Sequence, residues 1–161
     1  MLNFTRPTST ASASDLVWPF QGRHLVSELM GSPGAPIPLG QLVSDFPTVT
    51  DITPVGFLDD KPVFACAVET ANMDVMKYTS GNLFALIGRI AGEQFDVIGR
   101  AYQLLCWERD HRHCGRCGKQ TALADKGQSR ACEPCGLSVY PRLSPCAVSY
   151  THLTLPTNRE V

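Results

Sequence analysis

The stretch HCGRCGKQTALADKGQSRACEPCGLSVYPR, residues 113–142, contains two Cys-x-x-Cys pairs separated by fourteen residues. Zn²⁺ prefers four thiolate or imidazole ligands in a tetrahedron, and two such turns offer four sulfurs from one compact loop. The separation is close to the usual spacing of about 15 to 20 residues, so a hairpin can bring the pairs together. The pattern therefore predicts a zinc ribbon with ligands Cys114, Cys117, Cys132 and Cys135.

Two other uses of these cysteines stay open at this point, an iron centre and a pair of redox dithiols. Thioredoxin-like chemistry requires a βαβ context around one motif, and the sequence does not show one. Four cysteine ligands close the coordination sphere and leave no position for an activated water, so the predicted zinc is structural. We expect His111 and His113 to lie outside the coordination sphere, because four cysteines already fill it.

The composition is that of a globular protein of one ordinary domain or two small ones. The chain has 161 residues, of which 43% are hydrophobic and 18% charged, and a formal net charge of -1. Near neutrality gives no overall attraction to nucleic acid or anionic membranes. Because we find neither a secretory signal nor a long apolar run, we expect a cytoplasmic protein without a membrane segment. The three remaining cysteines, Cys66, Cys106 and Cys146, are then expected to be reduced thiols.

Upstream of the cysteines the sequence predicts a mixed domain of strands and helices. The stretch TPVGFLDDKPVFACAVE, residues 53–69, predicts a β-hairpin that turns at Asp59 and Asp60. Apolar residues at three- and four-residue steps across residues 93–111 predict an amphipathic helix that leads into the ribbon. A shorter helix is expected in residues 81–91, and short strands joined by turns in the Pro- and Gly-rich part before the hairpin.

Further features surround the cysteines: a helix that carries a Trp and a His before the first pair, and Tyr-Pro-Arg with a second Pro after the last. Besides the cysteines they are Arg100, Leu104, Leu105, Trp107, His111, Arg130, Tyr140, Pro141, Arg142 and Pro145. With them, the stretch from Arg100 to Pro145 resembles the NADH pyrophosphatases of the Nudix superfamily. The stretch GFLDDKPVFACAVE is similar to the hairpin of that family's N-terminal domain, which extends the resemblance to roughly residues 16–148.

The resemblance implies an NAD⁺ diphosphatase, which hydrolyses NADH or NAD⁺ to NMN(H) and AMP and, in some members, removes NAD caps from RNA. It further implies a homodimer, with Mg²⁺ or Mn²⁺ bound by glutamates of a C-terminal Nudix domain. Among substrate-contacting residues it points to Tyr140, whose ring could stack on a base or ribose. The alternative is that Tyr140 only packs the ribbon against the strand that follows.

The sequence departs from the family at its C-terminal end. The Nudix box needs a Gly, a Glu six residues later, and then Arg-Glu-apolar followed by further glutamates. The only Arg-Glu-apolar run is Arg159-Glu160-Val161, with Pro145 and Thr151 at the positions that require Gly and Glu. We therefore expect a chain truncated before the box, with no catalytic residue and no activity of its own.

The expected fold class is α+β: a mixed Nudix-like N-terminal domain, the amphipathic helix and the four-Cys zinc ribbon. The expected parts are a disordered leader (1–15), the N-terminal domain (16–110), the zinc ribbon (111–140), the start of a Nudix domain (141–148) and a non-native tail (149–161). The rival function is a non-catalytic zinc-ribbon module that binds RNA or a protein partner. It is favoured by the local basic residues of the ribbon, such as Arg112, Arg116 and Lys119.

Overall fold

The fold combines a large β-sheet, two helices and a small second sheet in a computed structural model that describes residues 2–3, 6–7, 9–71 and 73–142. This arrangement confirms the predicted α+β class. The strands of the large sheet are β1 (Leu2–Asn3), β2 (Leu16–Gln21), β3 (His24–Glu28), β4 (Ile37–Pro38), β5 (Val49–Leu58), β6 (Lys61–Val68) and β7 (Tyr78–Asn82). The helices are α1 (Leu39–Asp45) and α2 (Gly92–Asp110), with a 3₁₀ turn at Leu83–Leu86 between them.

The predicted hairpin is formed by β5 and β6, which pair antiparallel. Its two turn residues, Asp59 and Asp60, have φ of 48° and 62°. Asp tolerates this left-handed region better than most residues, because its short side chain can hydrogen-bond to nearby backbone. The local sequence therefore fixes where the chain reverses.

The hairpin lies within a sheet of order β1-β5-β6-β2-β3-β7, with β4 beside β2, in the described part of the chain. Strand β2 runs parallel to β6, whereas the other neighbours are antiparallel. A parallel pair needs a long connection between its strands, and here β3, β4, α1 and β5 supply it. No local pattern of residues indicates this pairing.

Each face of the sheet is covered by one helix. Alternate residues of a strand point to opposite faces, so Val63 and Ala65 of β6 pack toward α2, whereas Phe64 and Cys66 pack on the side of α1. On α2 the buried residues that join the first cluster are Val97, Ile98, Ala101, Leu104 and Leu105. The amphipathic helix predicted over residues 93–111 is thus confirmed. Its apolar side packs on the large sheet, and the helix leads directly into the ribbon.

The segment 1–15, expected to be a disordered leader, differs from that expectation in its described residues. Leu2 and Asn3 pair with β5, and Arg6 is only 2% exposed. The guanidinium of Arg6 finds acceptors on elements remote in sequence, which no local composition rule can show.

The helices also differ from the expectation. Helix α1 was not predicted, because seven residues are too few for helical periodicity to be visible in the sequence. The short helix expected in residues 81–91 is only the 3₁₀ turn.

The second sheet follows α2 directly and has the strand order β10-β9-β8. Its strands are β8 (Ala122–Ala124), β9 (Ser129–Cys132) and β10 (Leu137–Val139), all antiparallel to their neighbours. No helix in the described ranges is long and apolar enough to cross a membrane. Cys146, Pro145 and the tail expected at 149–161 lie outside the described residues.

Candidate metal centre and the adjoining cavity

The two Cys-x-x-Cys pairs form two turns of the same construction. The N–H of Gly118 donates to the carbonyl of Cys114, and the N–H of Gly136 donates to the carbonyl of Cys132, each at 2.8 Å. Both glycines have positive φ, 71° and 68°, a conformation that costs glycine little because it has no Cβ. Each turn therefore directs its two thiols to the same side.

The four sulfurs converge between these turns, with all Sγ atoms within 4.8 Å of one another. The separations are 3.5 Å for Cys114–Cys135, 3.4 Å for Cys117–Cys132 and 3.7 Å for Cys117–Cys135. These contacts are far longer than a disulfide bond of about 2.05 Å. Zn–S bonds of about 2.3 Å in a tetrahedron place sulfurs about 3.8 Å apart, so the group fits zinc closely.

The surroundings of the thiols differ between the two turns. Backbone N–H groups of Cys117 and Arg116 lower the pKa of Cys114 to about 6, whereas burial raises the pKa of Cys132 to about 12. A metal binds the thiolate, so a cation at the centre of the group would displace the remaining protons. Four cysteine ligands would fill a tetrahedral coordination sphere and leave no position for a water molecule, as is typical of a structural ion.

His111 and His113 lie beside the first turn. Among the described residues, the cluster of possible metal ligands consists of the four cysteines and includes neither histidine. The Nδ1 of His111 lies 2.9 Å from the carbonyl oxygen of Trp107, and its ring lies 5.6 Å from the Trp107 ring. His113 instead forms a β-bridge with Gln120. Their expected place outside the coordination sphere is consistent with these contacts.

A buried network of charges joins the ribbon to the rest of the protein. Glu108 accepts from Arg6 Nη2 at 2.6 Å on one carboxylate oxygen and from Arg130 Nη1 at 2.5 Å on the other. Arg6 also donates to the carbonyls of Pro54 on β5 and Gly127 in the ribbon. One side chain of α2 thus ties together the N-terminal segment and the ribbon.

Thr121 extends this network inside the ribbon. Arg130 donates to both the hydroxyl and the carbonyl of Thr121, at 2.9 and 3.0 Å, and the Thr121 hydroxyl donates to the carbonyl of His111 at 2.5 Å. The network fixes the ribbon against the last turn of α2. The sequence pointed to Arg130 through the resemblance and as one of the ribbon's basic residues. It gave no signal for the roles of Arg6, Glu108 and Thr121, since their contacts are not local.

Tyr140 borders a cavity of about 380 Å³. Tyr140 is 53% exposed, so it does not belong to the hydrophobic core that the described residues form. The described lining residues come from α2, the ribbon and the segment just after it: Arg100, Gln103, Leu104, Trp107, His111, Gln128, Tyr140, Pro141 and Arg142. The residue predicted to contact substrate therefore borders a cavity of suitable size for a small ligand.

The three-stranded sheet with converging Cys-x-x-Cys turns defines a zinc ribbon. Residues 109–140 match the family model described as the NADH pyrophosphatase zinc ribbon domain. The predicted resemblance to NADH pyrophosphatases is therefore confirmed. The matches to curated relatives are longer than the ribbon, at 95 and 121 residues.

Curated relatives of this chain include proteins named NAD-capped RNA hydrolase NudC. The protein of Pseudomonas entomophila is 33% identical over 95 residues, which are 58% of this chain and 34% of the relative. The protein of Pseudomonas syringae pv. syringae is 29% identical over 121 residues, 74% of this chain and 43% of the relative. The chain thus spans about a third to under half of the length of these curated relatives.

Proposed function

We propose that this chain supplies the N-terminal and zinc-ribbon portion of an NAD(H) diphosphatase, which hydrolyses NADH or NAD⁺ to NMN(H) and AMP and acts on NAD-capped RNA. The observation that carries the proposal is the match of residues 109–140 to the zinc ribbon of NADH pyrophosphatases, in a structure that brings its four cysteines together. The names of the relatives support the inclusion of capped RNA among the substrates.

In this proposal Cys114, Cys117, Cys132 and Cys135 hold a structural Zn²⁺. The sulfur separations fit such an ion, and the closed set of four thiolates gives it no role in activating water. The ion would stabilise the turns that lead into β10 and so hold Tyr140 beside its cavity. Tyr140 is the substrate contact, which its exposure and its place at the cavity rim support.

The hydrolytic step itself is assigned to groups that these 161 residues do not contain. A Nudix box is missing from the sequence, and we propose that a Nudix domain with Mg²⁺ or Mn²⁺ provides the charge neutralisation and the attacking water. A homodimer is a further part of the proposal. The 161-residue chain alone is expected to bind zinc and to turn over no NADH.

A chimera tests this proposal. Residues 1–142 of this chain replace the matching portion of the Pseudomonas entomophila relative, and hydrolysis of NADH and of NAD-capped RNA is measured with Mg²⁺ and Mn²⁺. We expect turnover by the chimera and none by the 161-residue chain, with a Cys132→Ser, Cys135→Ser chimera as the inactive comparison. A folded, zinc-loaded chimera without turnover, beside an active relative, would overturn the proposal. Metal-dependent turnover by the 161-residue chain would overturn the assignment of the chemistry to another domain.

A further inference from the structure

The large sheet ends at β7, and no strand of the described ranges lies on the outer side of this strand. Natural proteins usually protect such an edge with charged side chains, a proline or a bulge. The residues of β7, Tyr-Thr-Ser-Gly-Asn, include neither a charge nor a proline, and their pairing with β3 is regular. Thr79, Gly81 and Asn82 are exposed. The edge is therefore open to pairing with a further strand.

The main chain of Ser80 faces outward from this edge. The N–H of Leu29 donates to the carbonyl of Lys77 at 2.8 Å, just before the two strands pair. Because hydrogen bonds recur at every second residue of an antiparallel pair, those of Thr79 and Gly81 are directed to β3. The N–H and carbonyl of Ser80, midway between them, point away from β3. A second strand can therefore pair antiparallel to β7 about a two-fold axis at Ser80.

The two ends of β7 carry a projecting side chain and a cavity. Phe84, just after β7, is 75% exposed. Before β7, Met30 and Met76 are 94% and 79% exposed and border a cavity of about 330 Å³. In a two-fold antiparallel pair, the segment after one strand lies beside the segment before the other. Phe84 of each copy would then meet the methionines of the other, whose flexible side chains adapt well to an aromatic ring.

The charges at the two ends of β7 are opposite. Glu28 and Asp74 line the cavity, and the nearby cation of Lys77 is already paired with Asp45. Arg89 is the only charged residue between the start of β7 and the start of α2, and it is exposed. An antiparallel pair therefore brings the basic end of one strand to the acidic end of the other, which favours this orientation.

We propose that β7 pairs antiparallel with β7 of a second copy of this chain, so that the large sheet continues from one copy to the other. The proposal rests on the homodimer of the proposed function and deepens it, because it names the surface on which the copies meet. An open edge alone accepts any extended peptide. The matched features at its two ends single out a second copy, since a two-fold contact must be complementary to itself.

Sedimentation velocity of the zinc-loaded 161-residue chain over a series of concentrations tests the proposal. We expect an equilibrium between monomer and dimer. Ser80→Pro should abolish the dimer, and the fold should tolerate it because the N–H that it removes does not bond to β3. Phe84→Ser should weaken the dimer at least tenfold, as the loss of a central aromatic contact does. Leu123→Ser, which removes another exposed apolar side chain, should leave it unchanged. A chain that is monomeric at every concentration, or equal losses in the two serine variants, would overturn the proposal.

Charge reversal tests the direction of the pairing. Arg89→Glu should weaken the dimer several-fold, because two attractive contacts in each dimer become repulsive. Glu28→Arg should do the same, at the cost of one exposed hydrogen bond from Gln41. A chain with both changes should recover the dimer, and a double variant no tighter than the single ones would contradict the antiparallel arrangement. Hydrolysis is not measured here, so a monomeric chain leaves turnover by the chimera standing, and an inactive chimera leaves the association result readable.

Discussion

Arg6 and Glu108, which are 102 positions apart in the chain, form a buried ion pair with 2.6 Å between Nη2 and Oε1. The side chains are 1% and 11% exposed, and Arg130 occupies the second oxygen of the same carboxylate. Three parts of the chain therefore meet at one negative charge: the N-terminal segment, α2 and the ribbon. The cation of Arg6 also lies 5.7 Å from the centre of the Trp107 ring, within the range of a cation–π interaction.

Removing the shared carboxylate should be costly. Glu108→Gln keeps the shape of the side chain but leaves two buried guanidinium groups without a counter-charge, and we expect a loss of about 3 to 5 kcal/mol in the free energy of unfolding. Urea unfolding followed by circular dichroism measures it.

Asp110→Asn is the matched control for this variant. Its carboxylate pairs with Arg109 at 2.9 Å, but both side chains are more than half exposed, so the expected loss is below about 1 kcal/mol. If the two variants lost the same stability, the Glu108 network would have no special role in joining the ribbon to the sheet.

Zinc content tests the sulfur group directly. We expect the purified chain to hold one Zn²⁺ per molecule, and Cys132→Ser to lose it, because a structural site depends on all four ligands. Cys106→Ser, which changes a cysteine outside the group, should keep the ion. Metal analysis measures both, and an iron spectrum or a stable Cys114–Cys117 disulfide in the native chain would contradict the zinc assignment.

Chelation of the zinc should unfold the ribbon first. The binding energy of a structural zinc ion is largely folding energy, so the amide resonances of β8, β9 and β10 should collapse when it is removed. Those of β5 and β6 should stay dispersed, since the large sheet has its own buried clusters on both faces. Loss of both sets together would show that the ribbon and the sheet fold as one unit.

The parts of this structure that could be predicted from sequence are those with local causes. The turn at Asp59 and Asp60, the periodic α2 and the two Cys-x-x-Cys turns each follow from residues within a few positions of one another. The parallel pairing of β2 with β6 and the burial of Arg6 depend on chain segments that meet only after folding. A single sequence has no local pattern that reports such contacts.

Gly34 gives a prediction about packing between the N-terminal part and α2. A Cβ on Gly34 would lie 2.8 Å from Cδ1 of Ile98, and its φ is +73°. Gly22 has a similar φ of +57° but nothing within 4 Å of its Cβ position. We expect Gly22→Ala to cost about 1 kcal/mol from backbone strain alone, and Gly34→Ala to cost about 1 to 3 kcal/mol more from overpacking.

Ile98→Val separates the cost of backbone strain from the cost of overpacking. It removes the Cδ1 atom that a side chain at position 34 would contact. In that background the extra cost of Gly34→Ala should fall, while the cost of Gly22→Ala should not change. Thermal or urea unfolding of the four variants and their parents gives the comparison. An undiminished cost of Gly34→Ala would place its origin in the backbone and not in Ile98.

Cys66 should be inert in the native protein. Burial raises the pKa of its thiol to about 12, so at pH 8 only roughly one molecule in 10⁴ carries the reactive thiolate. Iodoacetamide should therefore leave Cys66 unmodified in peptide maps at pH 8, while the half-buried Cys106 reacts in the same sample. The neutral thiol also stabilises the fold at pH values below the usual thiol pKa, and this contribution is lost as the pH rises toward 12. If Cys66 were modified as fast as Cys106, strand β6 would have to separate readily from its neighbours β5 and β2. That outcome would contradict the buried packing of β6.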